Sequence, residues 1–406
     1  MNCRHCHENL QTTFLDLGFQ PPSNAYLKSD DLKRAEIYLP LKILVCEHCW
    51  LVQTEDYASS DSYFTEDYAY FSSVSSTFLA HAKEYSDMIT NRLGLDEESF
   101  VIEIASNDGY LLKNFVAKNI PCLGVEPTES TASVAIEAGI PVMQEFFGKQ
   151  LALNHFADKK ADLILGNNVY AHVPDINDFT SGLKHSLKHG GTITLEFPHL
   201  LSLIESNQFD TVYHEHFSYL SLLSVQRVFE KQGLRVFDVE KLTTHGGSLR
   251  LYGCHQEDSR ENSDEIQSIL NAEITAKLDS VETYQSFQPK AEAVKNDLLR
   301  FLLDQKREGK IVAAYGAAAK GNTLLNYAGV QRDLVEFVCD AAPSKQDKYM
   351  PGSHIPILDP SHLQKRAVNF VLILPWNLAD EIAQQLSYLR KGGTKFVIAV
   401  PELRIF

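Results

Sequence analysis

The sequence predicts an α/β protein of three parts, and three observations carry that expectation. Two C-x-x-C pairs, Cys3/Cys6 and Cys46/Cys49, open the chain. A strand–turn–helix–strand unit reads V-I-E-I-A-S-N-D-G-Y-L-L … C-L-G-V-E-P from Val101 to Pro127, and a second strand–turn unit, K-I-V-A-A-Y-G-A-A-A-K-G-N-T, begins at Lys310. At 406 residues the chain exceeds one average domain. The expected division is a cysteine-held module over 1–75, a central α/β domain over 76–255, and a helical connector leading into a further α/β domain over 256–406.

The two knuckles supply four thiolates, the donor set of a closed, tetrahedral structural zinc site. Their separation is longer than in a compact zinc ribbon, so an extended loop must bridge them. His5, His7 and His48 are rival ligands, but four thiolates already close the shell. A redox C-x-x-C would normally come singly. Cys122, Cys254 and Cys339 sit in apolar runs and read as core.

In the central part the first apolar run carries Glu103, a tight turn with Asn107, Asp108 and Gly109 follows, and the second run ends at Glu126. This is the first βαβ unit of a Rossmann-like, nucleotide-binding domain. Gly109 would let backbone approach a ligand, and Glu126 would hold two ribose hydroxyls. The G-x-G-x-x-G fingerprint is absent. A pyrophosphate needs glycine amides free of nearby negative charge, whereas Glu103 and Asp108 suit a cationic or zwitterionic ligand. S-adenosylmethionine, with its sulfonium and ammonium groups, fits that character. Further strands are expected at Ala161–Leu165, before G-N-N-V-Y-A-H-V-P-D, and at Thr192–Leu195, before Glu196, Pro198 and His199. The charged stretch 256–309 reads as a solvated connector.

The turn after Tyr315 differs in kind. It has Gly316, a run of alanines, no carboxylate and the positive Lys320, so its helix N-terminus suits an anion such as a diphosphate. Asp340, at the end of the next strand, should lie near the same face. The net charge of −16 argues against nucleic acid or an anionic membrane as partner. No apolar run approaches membrane-spanning length and the N-terminus lacks a signal-peptide shape, so a cytoplasmic location is expected.

Residues 207–220 read N-Q-F-D-T-V-Y-H-E-H-F-S-Y-L and gather Tyr213, His214, Glu215 and His216. In an extended or turn conformation Tyr213 and Glu215 would share one face, His214 and His216 the other. A histidine near a carboxylate is a ready general base at neutral pH. H-E-H lacks the i, i+4 spacing of a helical zinc motif.

The order of these pieces resembles the sugar C-methyltransferases that act on nucleotide-diphosphate-linked 4-keto deoxyhexoses. The resemblance runs through the paired knuckles, Y-A-Y-F-S-S, E-I-A-S-N-D-G, G-V-E-P, N-N-V-Y-A-H-V, Y-H-E-H-F, T-H-G-G-S-L-R, Y-G-A-A-A-K-G-N-T, P-G-S-H-I-P and P-W-N, and so covers the whole chain. It implies S-adenosylmethionine as cofactor and a nucleotide-linked sugar as substrate. It implies His216 as the base beside the keto group, with Tyr213 and Glu215 orienting base or substrate. Tyr68 and Tyr70 fall in the aromatic segment that closes over the sugar. Asn168 and His172 follow a cofactor-domain strand. Glu103, Ala105, Asn107, Gly109, Glu126 and Pro127 match the cofactor turn and the strand end beside it. His245, Gly246, Gly247 and Arg250 resemble a substrate-side loop, with Tyr315, Gly316, Lys320 and Asp340 on the nucleotide side; Glu196 and His199 are weaker candidates. Ala105 stands where the family has glycine, and its methyl fits if φ there is negative. Rival readings are methyl transfer to oxygen or to a small metabolite, and a non-catalytic, zinc-stabilised assembly protein. Sugar, nucleotide, methylated carbon and oligomeric state stay open.

Overall fold

The computed structural model describes residues 1–55, 57, 71–74 and 76–406. Three sheets organise them. Strands Thr12–Gln20, Leu39–Val45 and Val52–Thr54 form an antiparallel sheet, and its fourth strand, Ser218–Tyr219, comes from the central part of the chain.

The central sheet has seven strands in the order Leu234–Leu242, Ser248–His255, Leu187–Pro198, Ala161–Asn167, Val101–Ile104, Cys122–Val125 and Val142–Met143. Five neighbours run parallel, and Ser248–His255 is antiparallel to both of its partners. The parallel strands are almost wholly buried apolar runs, as a sheet covered on both faces requires. The last sheet, in the order Ile357–Leu358, Val338–Cys339, Val312–Tyr315, Phe370–Ile373, Lys395–Ile398 and Arg404–Ile405, is parallel except at its final edge. Both α/β units place their first strand centrally, so their first turns face open crevices at strand ends.

The stretch 256–309 departs from the solvated connector expected of it. Helix Phe287–Arg307 buries Phe287, Ala291, Val294, Leu298, Phe301 and Leu302 at heptad-like spacing. These side chains share one core with Val312, Leu372 and Val397 of the C-terminal sheet and with Phe14 and Leu15 of the N-terminal sheet. The Phe301 ring packs edge-on to Phe370 at 5.2 Å. Charge on the solvent face masked an amphipathic core helix. Earlier in the same stretch, helix Asp264–Thr275 buries Glu273, whose carboxylate accepts the Leu222 and Leu223 amides and so caps helix Leu222–Lys231. No helix among the described residues is long and apolar enough to cross a membrane.

Leu298 is fully buried between two sheets. Leu298→Ala should therefore cost about 2–5 kcal/mol, as a core truncation does. A solvated connector would lose almost nothing, and denaturant titration separates the two.

Candidate active site

The four cysteines converge. All four sulfurs lie within 4.8 Å of one another, with Cys3–Cys49 at 3.5 Å and Cys6–Cys46 at 3.4 Å. A tetrahedral zinc with bonds of about 2.3 Å sets its sulfurs just under about 4 Å apart, so the donor set fits the ion without rearrangement. Gln53 Nε2 donates to Cys3 Sγ at 3.3 Å, an outer contact of the kind that fixes a metal ligand. His5 Nδ1 faces Asn177 Oδ1 at 2.9 Å, and the histidines of the module are outside the cluster.

The first cofactor-side turn gathers three buried carboxylates, Glu103, Asp108 and Glu126. Burial, then Glu126 and Asp108, lifts the Glu103 carboxyl well above the ordinary range, against a lowering contact from the Leu112 amide. Glu103 Oε2, Ser106 Oγ and Asp108 Oδ1 are buried without partners. A crowded acidic pocket with unpartnered oxygens is what a sulfonium–ammonium ligand would relieve. Glu126 accepts from the amides of Asn107 (2.9 Å) and Thr128 (3.0 Å), so ribose hydroxyls would have to compete with, or join, backbone donors. Pro127 is half-buried beside it.

Three details differ from expectation. Ala105 has φ +55°, the left-handed region, so the condition under which its methyl would fit freely is not met. An alanine there costs about 1–2 kcal/mol of strain relative to the right-handed conformation. Gly109, at φ +75°, is required by packing and not by ligand approach: a Cβ would lie 2.2 Å from Ile140 Cδ1. Asp108 Oδ2 and Asn107 Oδ1 accept the Ser73 (3.1 Å) and Ser72 (3.0 Å) amides, and so anchor the chain entering helix Ser76–Leu93.

At the end of Ala161–Asn167, Asn168 sits at φ +57° with both side-chain polar atoms buried and unpartnered, beside the similarly unpartnered Asn167 Oδ1. His172 follows, half-buried, and desolvation depresses its imidazole to about 4 while the Glu215 backbone pulls the other way. Its ring meets His216 edge-on at 4.6 Å.

Residues 213–216 form a turn closed by His216 N–H donating to the Tyr213 carbonyl at 3.0 Å, and the turn does not keep the expected pairing of Tyr213 with Glu215 and of His214 with His216. The i, i+3 geometry brings Tyr213 over His216, with ring centroids 3.9 Å apart, and sends their neighbours elsewhere. His214 Nε2 faces the Leu39 carbonyl at 3.3 Å. Glu215 is contacted by Asn24 Nδ2 at 2.8 and 3.0 Å, and burial lifts its carboxyl to about 7 against that contact. His216 Nδ1 lies 3.0 Å from the Thr211 carbonyl. A carbonyl only accepts, so Nδ1 carries the proton and Nε2 holds the free lone pair. Burial, with His172, His245 and Lys320 nearby, holds the imidazole well below its ordinary value.

On the substrate side, Gly246 and Gly247 have φ +88° and +117°; a Cβ on Gly246 would lie 2.6 Å from Trp376, and one on Gly247 would lie 2.5 Å from Ser202 Oγ. His245, also left-handed, packs against Phe78 at 6.0 Å. Arg250 points away from any ligand role: it pairs with Glu196 (3.0 Å) and Glu240 (3.1 Å) and lies 4.5 Å from the Tyr85 ring centroid. Glu196 is committed to His81, Thr244 and Arg250, and His199 to Glu273 at 2.7 Å.

The second turn is not carboxylate-free in three dimensions. Asp340 accepts the Ala317 amide at 2.7 Å, and Lys345 Nζ donates to the Ala317 carbonyl at 2.8 Å, as does Tyr26 Oη at 2.6 Å. Gly316, at φ +88°, is there because a Cβ would sit 2.5 Å from Pro375 Cδ, and Tyr315 is buried at the strand end. Lys320 turns aside, donating to Asn377 Oδ1 at 2.8 Å. Tyr68 and Tyr70 lie outside the described residues. Asn24, Thr211, Asp210, Lys345 and Trp376 escaped sequence reasoning. Only P-W-N carried a local signal for one of them, because a backbone carbonyl and a cross-domain amide leave no pattern.

Comparison with known proteins agrees with the geometry. A family model described as a C-methyltransferase C-terminal domain matches residues 243–401, one described as a zinc binding domain matches 3–64, and a methyltransferase domain matches 78–239. The chain is 31% identical over 407 residues to the C-methyltransferase NovU of Streptomyces niveus, covering 99% of this chain and 96% of that protein. Among solved structures, the PH0226 protein of Pyrococcus horikoshii OT3 aligns with 46% of this chain and 95% of its own at 13% identity and a TM-score of 0.39. Magnesium protoporphyrin IX methyltransferase of Synechocystis PCC 6803, solved with SAH, aligns with 44% and 82% at 14% identity and a TM-score of 0.35.

Structural zinc contributes folding free energy outright, about 10–16 kcal/mol in small zinc peptides near neutral pH. Chelation, or Cys46→Ser, should abolish the cooperative melting of the N-terminal sheet and lower turnover, because Asn24 and Thr54 of that module hold the 213–217 turn. Unchanged melting of zinc-free protein, verified by metal analysis, would contradict the zinc assignment.

Proposed function

This chain belongs to the C-methyltransferase family and is an S-adenosylmethionine-dependent methyltransferase, and we propose that its acceptor is the carbon beside the ketone of a nucleotide-diphosphate-linked 4-keto deoxyhexose, C3 being favoured. The observation that carries this reading is the His216 tautomer. An imidazole with Nδ1–H held by the Thr211 carbonyl presents a basic Nε2 in a buried site.

A hydrogen beside a ketone is acidic enough for such a base once the oxygen is stabilised. His216 Nε2 takes that proton, and the electron pair moves into an enolate. Tyr213, packed against the imidazole at a tilt of 34°, restrains its rotation. S-adenosylmethionine, when bound, supplies an electrophilic methyl group. Residues of the acidic turn, Glu103 and Asp108, would hold its cationic portion, Glu126 its ribose, and Asn168 would close the side facing the sugar. Four thiolates already close the coordination shell of the zinc, which suits a staple and not a Lewis acid.

Because burial holds the His216 imidazole below its ordinary value, Nε2 is unprotonated at neutral pH. The acid limb of kcat/KM should therefore fall below about 6.5, the ordinary imidazole value, with activity lost as pH drops through the depressed pKa. A limb near 7 that disappears in Glu215→Gln would assign the controlling proton to Glu215 instead. His216→Asn should lower kcat by roughly 10²–10⁴ with little change in cofactor affinity. Labelled S-adenosylmethionine offered with 4-keto sugar nucleotides should give a carbon-methylated product by NMR; an oxygen-methylated product refutes the reading.

A further inference from the structure

We propose that the Lys320 ammonium is a catalytic residue that holds the substrate's keto oxygen while His216 removes the neighbouring proton. The inference rests on the C-methylation reading above and concerns how the resulting negative charge is met.

Lys320 lies in the first turn of helix Ala319–Tyr327 in the C-terminal domain. Thr323, three residues on and so on the same face, donates through Oγ1 to the Val212 carbonyl at 2.8 Å. Val212 is next to Thr211, whose carbonyl fixes the His216 tautomer. The helix is thus docked on the base's own loop with Lys320 facing it. Lys320 Nζ donates to Asn377 Oδ1 at 2.8 Å and lies 4.6 Å from the Trp376 ring centroid. Trp376 Nε1 donates to Asp210 Oδ2 at 2.8 Å, and its ring abuts Gly246 beside His245. Asp210, Trp376 and Gly246 therefore wall the space into which Lys320 projects.

An ammonium has three donors. Asn377 takes one, the Trp376 ring accepts no conventional hydrogen bond, and among the described residues no carboxylate lies within the 4.0 Å ion-pair distance of Nζ. A half-buried cation with spare donors, balanced beyond ion-pair distance by the buried Asp210, is placed to meet a charge that appears during reaction. The side chain is not needed at the other crevice. There Lys345 already serves the turn carrying Ala317 and Asp340, which leaves Lys345 for a phosphate and Lys320 for the ketone. Lys320 is also among the charges that lower both His216 and His245, in keeping with its docking beside the base's loop.

The step balances within the site. The C–H bond breaks, its proton goes to His216 Nε2, its electron pair forms C=C, and the carbonyl π pair moves to oxygen, where Lys320 N–H meets it. When the carbon forms its new bond to methyl, the oxygen pair re-forms C=O, the methyl–sulfur bond breaks and its pair stays on sulfur.

Exchange of the proton beside the ketone isolates this step. Full-length protein would be held in D2O with S-adenosylhomocysteine and either thymidine- or guanosine-diphosphate 4-keto-6-deoxyhexose, and exchange followed by NMR. Lys320→Met should slow exchange at saturation by roughly 10²–10³, as loss of an oxyanion donor does, while the sugar-nucleotide Kd moves less than about threefold. Full-rate exchange in that variant with weakened Kd would overturn the proposal and make Lys320 a phosphate ligand. Should Lys320→Met melt below assay temperature, Lys320→Ala decides: recovery of exchange with added ethylammonium supports the proposal, and folded protein without recovery overturns it. No exchange in the wild type would remove the C-methylation reading itself, a result distinct from either variant outcome.

Discussion

The hydrogen bond from His216 Nδ1–H to the Thr211 carbonyl is the contact on which the site depends. It sets which ring nitrogen is free to serve as the proposed base, and it can form only if residues 208–217 hold their shape. All three parts of the chain hold them. Thr54 of the N-terminal sheet donates to the His216 carbonyl at 3.1 Å, and Asn24 grips Glu215. Phe217 N–H donates to the Ala171 carbonyl of the central domain, and Thr323 of the C-terminal domain reaches Val212. No one domain could fix the tautomer alone.

This shared turn explains why a stapled N-terminal module belongs to the protein. Its sheet takes Ser218–Tyr219 as an edge strand, so the residues directly after the base are registered against Val52 and Gln53. The four-cysteine cluster stiffens the same sheet, Gln53 donating to Cys3 Sγ from the strand that pairs with Ser218–Tyr219. The two α/β crevices are divided by charge. The first collects three buried carboxylates and leaves one oxygen each of Glu103 and Asp108 unpartnered, and the second pairs its Asp340 with the Ala317 amide and Lys345. Between them Lys320 and Trp376 project from the C-terminal domain toward the base's loop.

Elements written as patterns were legible in the sequence. The cysteine pairs, both strand–turn–helix units, the acidic first turn and the cluster around His216 each have a period, a spacing or a composition. Conformation at single residues was not legible. Ala105 at φ +55° occupies a glycine's place under strain, and Gly109 and Gly316 answer to Ile140 and Pro375, contacts formed only in the fold. Burial also reassigned charge. Arg250 and Glu196, suggestive at a strand end, neutralise each other, and the charged face of Phe287–Arg307 concealed a core-facing stripe. Backbone acceptors such as Thr211 are invisible by nature, since every residue carries the same carbonyl.

The tautomer can be observed directly. In protein with ¹⁵N-labelled histidine near neutral pH, long-range ¹H–¹⁵N correlation should show His216 neutral, with the proton on Nδ1 and a bare Nε2. A proton on Nε2, or an imidazolium bearing both, would contradict the account, because no base would then face the substrate.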